Sequence, residues 1–173
     1  MGNIQQRIYC LDSSAFIGMN RFYDFIEGLW SSLEALFQND SIISHQYVFK
    51  EINPKSSKPD FLAQWIKNKE KYFLQVTKRQ TELVAKILSI FPGLIDYKKE
   101  IDEADPWLVA LVLEKRELSD MFKDFSSIVI VSTESERSPS RIPAVCEHYN
   151  IKHMNLKEFF DDNKWKFKLE KSP

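Results

Sequence analysis

The sequence has little glycine, little cysteine and no long hydrophobic run. It contains 4 Gly among 173 residues and neither G-x-G-x-x-G nor G-x-x-x-x-G-K-[ST], which excludes the glycine-rich loops that bind dinucleotides and nucleoside triphosphates. No window approaches the ~20 apolar residues of a membrane span, and residues 1–7 are polar where a signal peptide is apolar. The sequence therefore predicts a cytoplasmic protein without a membrane segment.

Excess charge of either sign is also absent. Lys and Arg total 24 and Asp and Glu total 25, so the formal net charge is -1 and the protein as a whole would not attract nucleic acid. Any such binding would need a local basic patch. The 2 cysteines, Cys10 and Cys146, lie in apolar segments. We expect buried free thiols rather than a disulfide or metal ligands.

Apolar segments alternate between strand-like and helix-like patterns along the chain. The expected strands are 8–11, 41–44, 128–131 and 151–155. The expected helices are 22–37, 45–52, 60–72, 77–91, a buried helix that begins at 105, 143–149 and 156–163. No tight hairpin signal joins the strands, which favours a parallel sheet.

The predicted fold is therefore an α/β three-layer sandwich, in which a mostly parallel central sheet of four to five short strands is flanked by helices. The most apolar strand, 128–131, is expected at the centre of the sheet. We expect a single domain over 1–173 with a core of about 7–165. A helical insertion over about 59–100 and a basic tail over 164–173 complete this organisation.

Two of the predicted strands end on a carboxylate. Residues 8–11 lead into Asp12, and residues 127–131 lead through Ser132 and Thr133 to Glu134. Ligands of open parallel sheets bind at the carboxyl ends of the strands, so these acids are expected to face one another. Glu51 and Asp105 add to an oxygen-only site of the kind that Mg²⁺ or Mn²⁺ prefers. This pattern points to metal-assisted phosphodiester chemistry.

Each acid also has a simpler interpretation. Asp12 could cap a turn or helix start, and Asp105 before Pro106 has the pattern of a helix N-cap followed by proline at the first helical position. Glu51 could be a solvated helix carboxylate, and Glu134 could cap the loop after its strand. The joint arrangement of the four acids is what favours a metal site.

These motifs together resemble the PIN-domain family. Residues 9–17 resemble the opening strand and acidic turn, and Glu51 falls at the second acidic position. Residues 103–110, which contain Ala-Asp-Pro-Trp, resemble the third-acid helix of one branch, and 131–134 the strand end that carries the fourth acid. Residues 142–147 and 151–160 resemble the closing helix, strand and helix. The resemblance covers about 7–165 in order.

The chain departs from the family pattern at two places. Ser13 and Ser14 stand where Thr and Asn are common, and Glu134 stands where Asp is common. The hydroxyl and the charge are kept, but the longer side chain of Glu134 moves its carboxylate by one methylene. Its contact with a metal could therefore be indirect.

The resemblance implies a magnesium- or manganese-dependent endoribonuclease similar to the toxins of bacterial toxin-antitoxin pairs, with an antitoxin partner and a possible homodimer. Asp12, Asp105 and Glu51 would bind or position the metal, and Glu134 would bind a second ion or orient water. Asp102 and Glu103 are alternatives to Asp105. The hydroxyls of Ser14 and Ser132 are expected to support neighbouring carboxylates.

RNA requires cationic partners near these acids. The candidates are Lys55, Lys58, Arg137 and Arg141. The main alternative function is a catalytically inactive PIN-like module that binds protein or nucleic acid. An aspartyl phosphatase is weaker, because the usual second Asp is Ser14 here. The three histidines, His45, His148 and His153, have no metal-ligand spacing.

Overall fold

The sheet of this protein is parallel throughout its described strands. The computed structural model describes residues 7–22, 26–54, 58–96, 98, 103–119, 127–134 and 139–166. Within these residues the strands are β1 (Ile8–Leu11), β2 (Ile42–His45), β3 (Phe73–Leu74), β4 (Ile128–Val131) and β5 (Lys152–Met154). Their order is β3-β2-β1-β4-β5 with parallel pairing at every step. The predicted α/β fold is confirmed.

Helices connect the strands. They are α1 (Ser13–Phe22), α2 (Leu29–Gln38), α3 (Gln46–Ile52), α4 (Phe61–Ile66), α5 (Lys78–Ile90), α6 (Asp105–Glu117), α7 (Ile142–His148) and α8 (Leu156–Asp162). Two 3-10 segments, Lys67–Tyr72 and Pro92–Leu94, extend α4 and follow α5. No helix in the described ranges is long and apolar enough to cross a membrane.

Side-chain caps explain where several helices begin. The Asp60 carboxylate accepts the N–H of Ala63 at the start of α4, and the Thr77 hydroxyl accepts the N–H of Gln80 at the start of α5. Asn155 and Glu158 form a reciprocal capping box at α8. Each cap satisfies a main-chain N–H that the first helical turn leaves without a partner. Local sequence alone thus fixes these three helix starts.

The core lies on both faces of the sheet. Every residue of β1 and β4 is buried, and successive side chains of a strand point to opposite faces. Both faces must therefore be covered, as the three-layer expectation requires. The middle of α6 is fully buried, from Leu108 to Val112, as predicted. Cys10 and Cys146 are buried free thiols, also as predicted.

The predicted helix over 22–37 is wrong. One helix, α1, ends at Phe22 and another, α2, begins at Leu29. Gly28, directly before α2, has φ 83°, a left-handed conformation that interrupts a right-handed helix. Phe22, the first residue of the predicted helix, is 66% exposed. The apolar spacing ran across the break because Leu29, Leu33 and Phe37 of α2 continue it.

The sheet also differs from expectation at its centre and at one edge. The central strand is β1, and β4 lies between β1 and β5. Strand β4 is apolar because both of its faces are buried, which holds for any interior strand. The segment predicted as a helical insertion supplies β3, which has 2 residues and is too short to show a periodic pattern.

Candidate functional site

Four carboxylates gather at the carboxyl edge of the sheet. Asp12 follows β1, Glu134 lies just beyond β4, Glu51 is on α3 directly after β2, and Asp105 is the first residue of α6. The charge of Asp12 raises the pKa values of the other three. We call the surface formed by these four residues the acidic cleft.

Asp12 uses its two carboxylate oxygens differently. Oδ2 accepts the main-chain N–H of Ser14 at 3.1 Å and the Ser14 hydroxyl at 2.5 Å, so Asp12 does cap α1. Oδ1 is buried and has no hydrogen-bond partner among the described residues. Burial raises the pKa of Asp12 above its ordinary value, although the hydrogen bonds from Ser14 and weaker contacts with Ser13 oppose that shift. Asp12 is only 2% exposed, and a buried carboxylate oxygen without a hydrogen-bond partner calls for a ligand.

Asp105 is not the N-cap that its sequence context suggests. The N-cap of α6 is Ala104, which makes no side-chain cap bond, and Asp105 and Pro106 are the first two helical residues. Burial first, and then the charges of Asp12, Glu134, Glu51 and Glu103, raise the pKa of Asp105 to about 8. A helix N-terminus normally lowers the pKa of a carboxyl group, so burial together with the charges of the other acids outweighs it here.

Glu51 joins three helices. Its Oε1 accepts the N–H of Ala104 at 3.0 Å, at the start of α6, and it also has a hydrogen bond with the Ser13 side chain of α1. Burial of the carboxylate raises the pKa of Glu51, and the nearby charges of Asp12 and Glu103 raise it further. The carboxylate is thus already engaged by the protein.

Glu134 is engaged in a similar way. Its Oε2 accepts the N–H of Ile142 at 2.8 Å, which caps α7, and its Oε1 lies 3.3 Å from Nη1 of Arg141. Burial and the charge of Asp12 raise the pKa of Glu134, whereas the contacts with Ile142 and Arg141 lower it. The fourth acid is therefore anchored to the start of α7.

Ser14 connects the two strand ends of the cleft. Its hydroxyl donates to Asp12 and accepts the N–H of Thr133 at 3.0 Å. The α1 helix passes close to the same loop, because a Cβ on Gly18 would lie 2.9 Å from Cγ2 of Thr133. Glycine at this position thus permits the close approach of α1 to the loop that carries Glu134.

Ser132 contacts different groups from those expected. Its buried hydroxyl lies 2.9 Å from Nε2 of His153 and accepts the main-chain N–H of Glu134 at 3.3 Å. Ser132 therefore orients the main chain of Glu134 rather than a carboxylate. Neither this contact of His153 nor the role of Ser13 was predicted. Their only signal in the sequence is their position on a strand or turn next to the acids.

The predicted cationic residues are distributed unevenly. Arg141 lies at the cleft against Glu134, with 55% of its side chain exposed. Lys58 is an exposed residue in the loop before α4. Lys55, Arg137 and the alternative acid Asp102 lie outside the described residues. Sequence reasoning missed Lys50, an exposed residue next to Glu51 whose Nζ lies 4.5 Å from the centre of the Tyr47 ring.

The four predicted acids do not converge as ligands of one ion. In the described part of the chain, no three His, Cys, Asp or Glu side chains are grouped so that they could hold a metal. Glu51 and Glu134 are instead held by main-chain N–H groups. Asp12 and Asp105 remain, and Mg²⁺ commonly takes one or two carboxylates and fills its other positions with water and substrate phosphate. The carboxylates of Asp12 and Asp105 therefore fit an ion site with two carboxylate ligands, in which Oδ1 of Asp12 would gain the partner that it lacks among the described residues.

Comparisons with known proteins agree with this fold. The chain is similar to one chain in the crystal structure of VapBC2 from Rickettsia felis, which was solved bound to a DNA fragment from the VapBC2 promoter. The TM-score is 0.50 and the sequence identity is 12%. The similarity covers 86% of this chain and 98% of that one, and it supports the expected PIN-like fold. No curated protein matches the chain. A family model matches residues 9–167, so the chain belongs to DUF4411, a family defined by a domain of unknown function.

Proposed function

We propose that this protein is a metal-dependent endoribonuclease that hydrolyses RNA phosphodiester bonds. The observation that carries the proposal is the buried Oδ1 of Asp12, which has no partner among the described residues and lies in a cleft with three further carboxylates. Asp12 and Asp105 would hold Mg²⁺ or Mn²⁺. When bound, such an ion lowers the pKa of water and neutralises charge on a phosphate.

The remaining cleft residues orient the attacking water and hold the metal-binding carboxylates in place. Glu134, fixed by Ile142 and by Ser132 through its main chain, orients the attacking water. Glu51 holds the start of α6 through Ala104 and so positions Asp105. Ser14 fixes the carboxylate plane of Asp12. These contacts are set before substrate binds, which avoids reorganisation during the reaction.

Arg141 supplies positive charge at the cleft. Its guanidinium lies against Glu134 and is largely exposed, so a substrate phosphate can exchange for that contact. Lys58 and Lys50 are further exposed cationic candidates. Lys55 and Arg137 remain predicted RNA contacts.

We further propose that the protein is the toxin of a toxin-antitoxin pair, by analogy with the toxin-antitoxin complex of similar fold. Exposed aromatic side chains offer material for protein contact, since Phe22 is 66% and Phe61 51% exposed. Induced expression should arrest growth of the host with the wild-type chain and not with Asp12→Asn. Equal arrest by both would remove the toxin assignment. Homodimer formation remains a prediction for sedimentation analysis.

The decisive experiment is cleavage of a mixed RNA pool by the purified protein with Mn²⁺, Mg²⁺ or EDTA. We expect metal-dependent cutting that falls about 100-fold or more in both Asp12→Asn and Asp105→Asn. The matched control is Asp161→Asn, the same chemical change at a side chain that is 65% exposed and pairs only with Lys157 among its described ion pairs. The control should cut RNA like the wild type.

A specific observation also favours a second candidate, a binding module without catalytic activity. Glu51 and Glu134 are already engaged by main-chain N–H groups, as structural carboxylates would be. This candidate predicts RNA or protein binding without cutting and no effect of Asp12→Asn. Metal-dependent cleavage that is lost in Asp12→Asn would exclude it.

A further inference from the structure

A concave surface lies at the same edge of the sheet as the acidic cleft. It is a cavity of about 450 Å³ between α3 and β3. Gln75 lines it and directly follows β3, just as Asp12 directly follows β1. The strands are parallel, and β3 lies two strands from β1, which places the cavity about 10 Å along the edge from the cleft. We call it the α3–β3 pocket.

The polar lining of the α3–β3 pocket is rich in carboxamides. Gln46 and Asn53 come from the two ends of α3, and Gln75 comes from the end of β3. Among the hydrogen bonds between described residues, none involves these three side-chain amides. A carboxamide presents a donor and an acceptor side by side, which matches the edges of nucleobases.

The apolar lining consists of Phe49, Phe73 and Pro54. The ring centres of Phe49 and Phe73 are 5.1 Å apart; Phe73 is only 2% exposed, so the half-buried Phe49 presents the accessible ring. Aromatic rings beside hydrogen-bonding groups are the usual means by which proteins hold unstacked bases of single-stranded RNA. A volume of about 450 Å³ is also in the range of small-ligand sites.

Two charged residues complete the α3–β3 pocket. Lys50 lines it and directly precedes Glu51 of the acidic cleft in the chain, and its Nζ lies 4.5 Å from the centre of the Tyr47 ring. An ammonium group in the lining suits a backbone phosphate. Glu70, which also lines the pocket, offers carboxylate oxygens that can accept from the exocyclic amine of a base.

We propose that the α3–β3 pocket binds one nucleobase of a single-stranded RNA whose scissile phosphate lies in the acidic cleft. The pocket thereby sets a sequence preference at one nucleotide beside the cleavage site. As a specificity site the inference rests on the proposed ribonuclease function, whereas nucleotide binding by the pocket does not.

The first experiment measures binding without cleavage. Each of AMP, CMP, GMP and UMP is titrated into the wild-type chain in EDTA while the side-chain amide signals are followed by NMR. We expect one nucleotide to bind more tightly than the others and to shift the signals of Asn53 and Gln75. Gln75→Ala should weaken its binding about tenfold, which is the size of one lost base-edge contact. The control Gln38→Ala removes an exposed carboxamide at the end of α2 and should change nothing.

The second experiment maps cleavage sites in an RNA pool of random sequence. The wild type should show a preference at one position, and Gln75→Ala should relax it while cutting at non-preferred sites is retained. Equal binding of all four nucleotides by the wild type and Gln75→Ala would overturn the inference even if RNA is cut. If no variant cuts RNA but Gln75→Ala still loses nucleotide binding, the ribonuclease proposal fails and the pocket stands.

Discussion

The free energy of unfolding should depend on pH through His45, the residue before α3. This buried residue accepts the N–H of Tyr47 at Nδ1, at 3.2 Å, and its Nε2 lies 3.2 Å from Oε1 of Gln80. A main-chain N–H can only donate, so Nδ1 is unprotonated and Nε2 carries the proton. Gln80 in turn donates to Glu114 at 2.6 Å, and Glu114 accepts the hydroxyl of Thr77. Protonation of Nδ1 would break the first contact of this chain.

The magnitude follows from the pKa of His45 in the two states. Burial, as the main cause, lowers the pKa from 6.5 to about 4 in the folded protein. Between these values the unfolded chain binds more protons than the folded one, so the free energy of unfolding falls as the pH falls. At 1.36 kcal/mol per pKa unit, with an allowance for solvent screening, His45 should remove roughly 2 kcal/mol between about pH 7 and pH 4.5.

The assay is urea unfolding of the wild type and His45→Asn across this pH range. The acids of the cleft contribute with the opposite sign, because their pKa values are raised in the folded state. Only the difference between the two proteins isolates His45. Asparagine places its Oδ1 where Nδ1 of His45 lies, so it can still accept from Tyr47, and it does not titrate. We expect the wild-type midpoint to fall relative to the variant by about 1 M urea on acidification. Parallel pH profiles would refute the reasoning.

Three further perturbations test other contacts. Gln80→Leu should lower the free energy of unfolding by about 2 to 3 kcal/mol, because Oε2 of Glu114 and Nε2 of His45 both lose their contact with Gln80 in a buried site. A loss below about 0.5 kcal/mol, measured in urea, would contradict this. Gly28→Ala should cost about 1 kcal/mol through its left-handed φ of 83°, since the nearest atom to an added Cβ is 3.9 Å away and makes no clash. Mn²⁺ should raise the thermal midpoint of the wild type and leave that of Asp12→Asn or Asp105→Asn unchanged, because an ion stabilises only a folded protein that has the binding site. Equal shifts in all three proteins would show that the ion binds outside the acidic cleft.

Much of the fold could be predicted because its signals are local. The apolar strands at 8–11 and 128–131 and the capped helices at Asp60 and Thr77 each depend on residues within a few positions of one another. Two features of the fold were not predicted. The break at Gly28 and the short strand β3 depend on backbone conformation and pairing that apolar spacing does not record.

The site was predictable in its position and not in its contacts. Asp12 and Glu134 were placed together because parallel strands share a carboxyl edge. The alternative N-cap role of Asp105 is not observed, since Asp105 is the first residue of α6, and the contact of Ala104 with Glu51 is a tertiary effect that no local pattern shows. The carboxamides of the α3–β3 pocket gave no signal, since each is an ordinary polar residue in its own segment.

The sequence by itself determined a parallel α/β fold with acids at its strand ends, because periodicity, capping and strand direction are properties of short segments. Only the tertiary structure decided which acids keep unpartnered oxygens. Glu51 meets an N–H that is 53 residues away along the chain, whereas Oδ1 of Asp12 meets none among the described residues. Such pairings depend on how helices pack around the sheet, and burial then sets the pKa of each carboxylate.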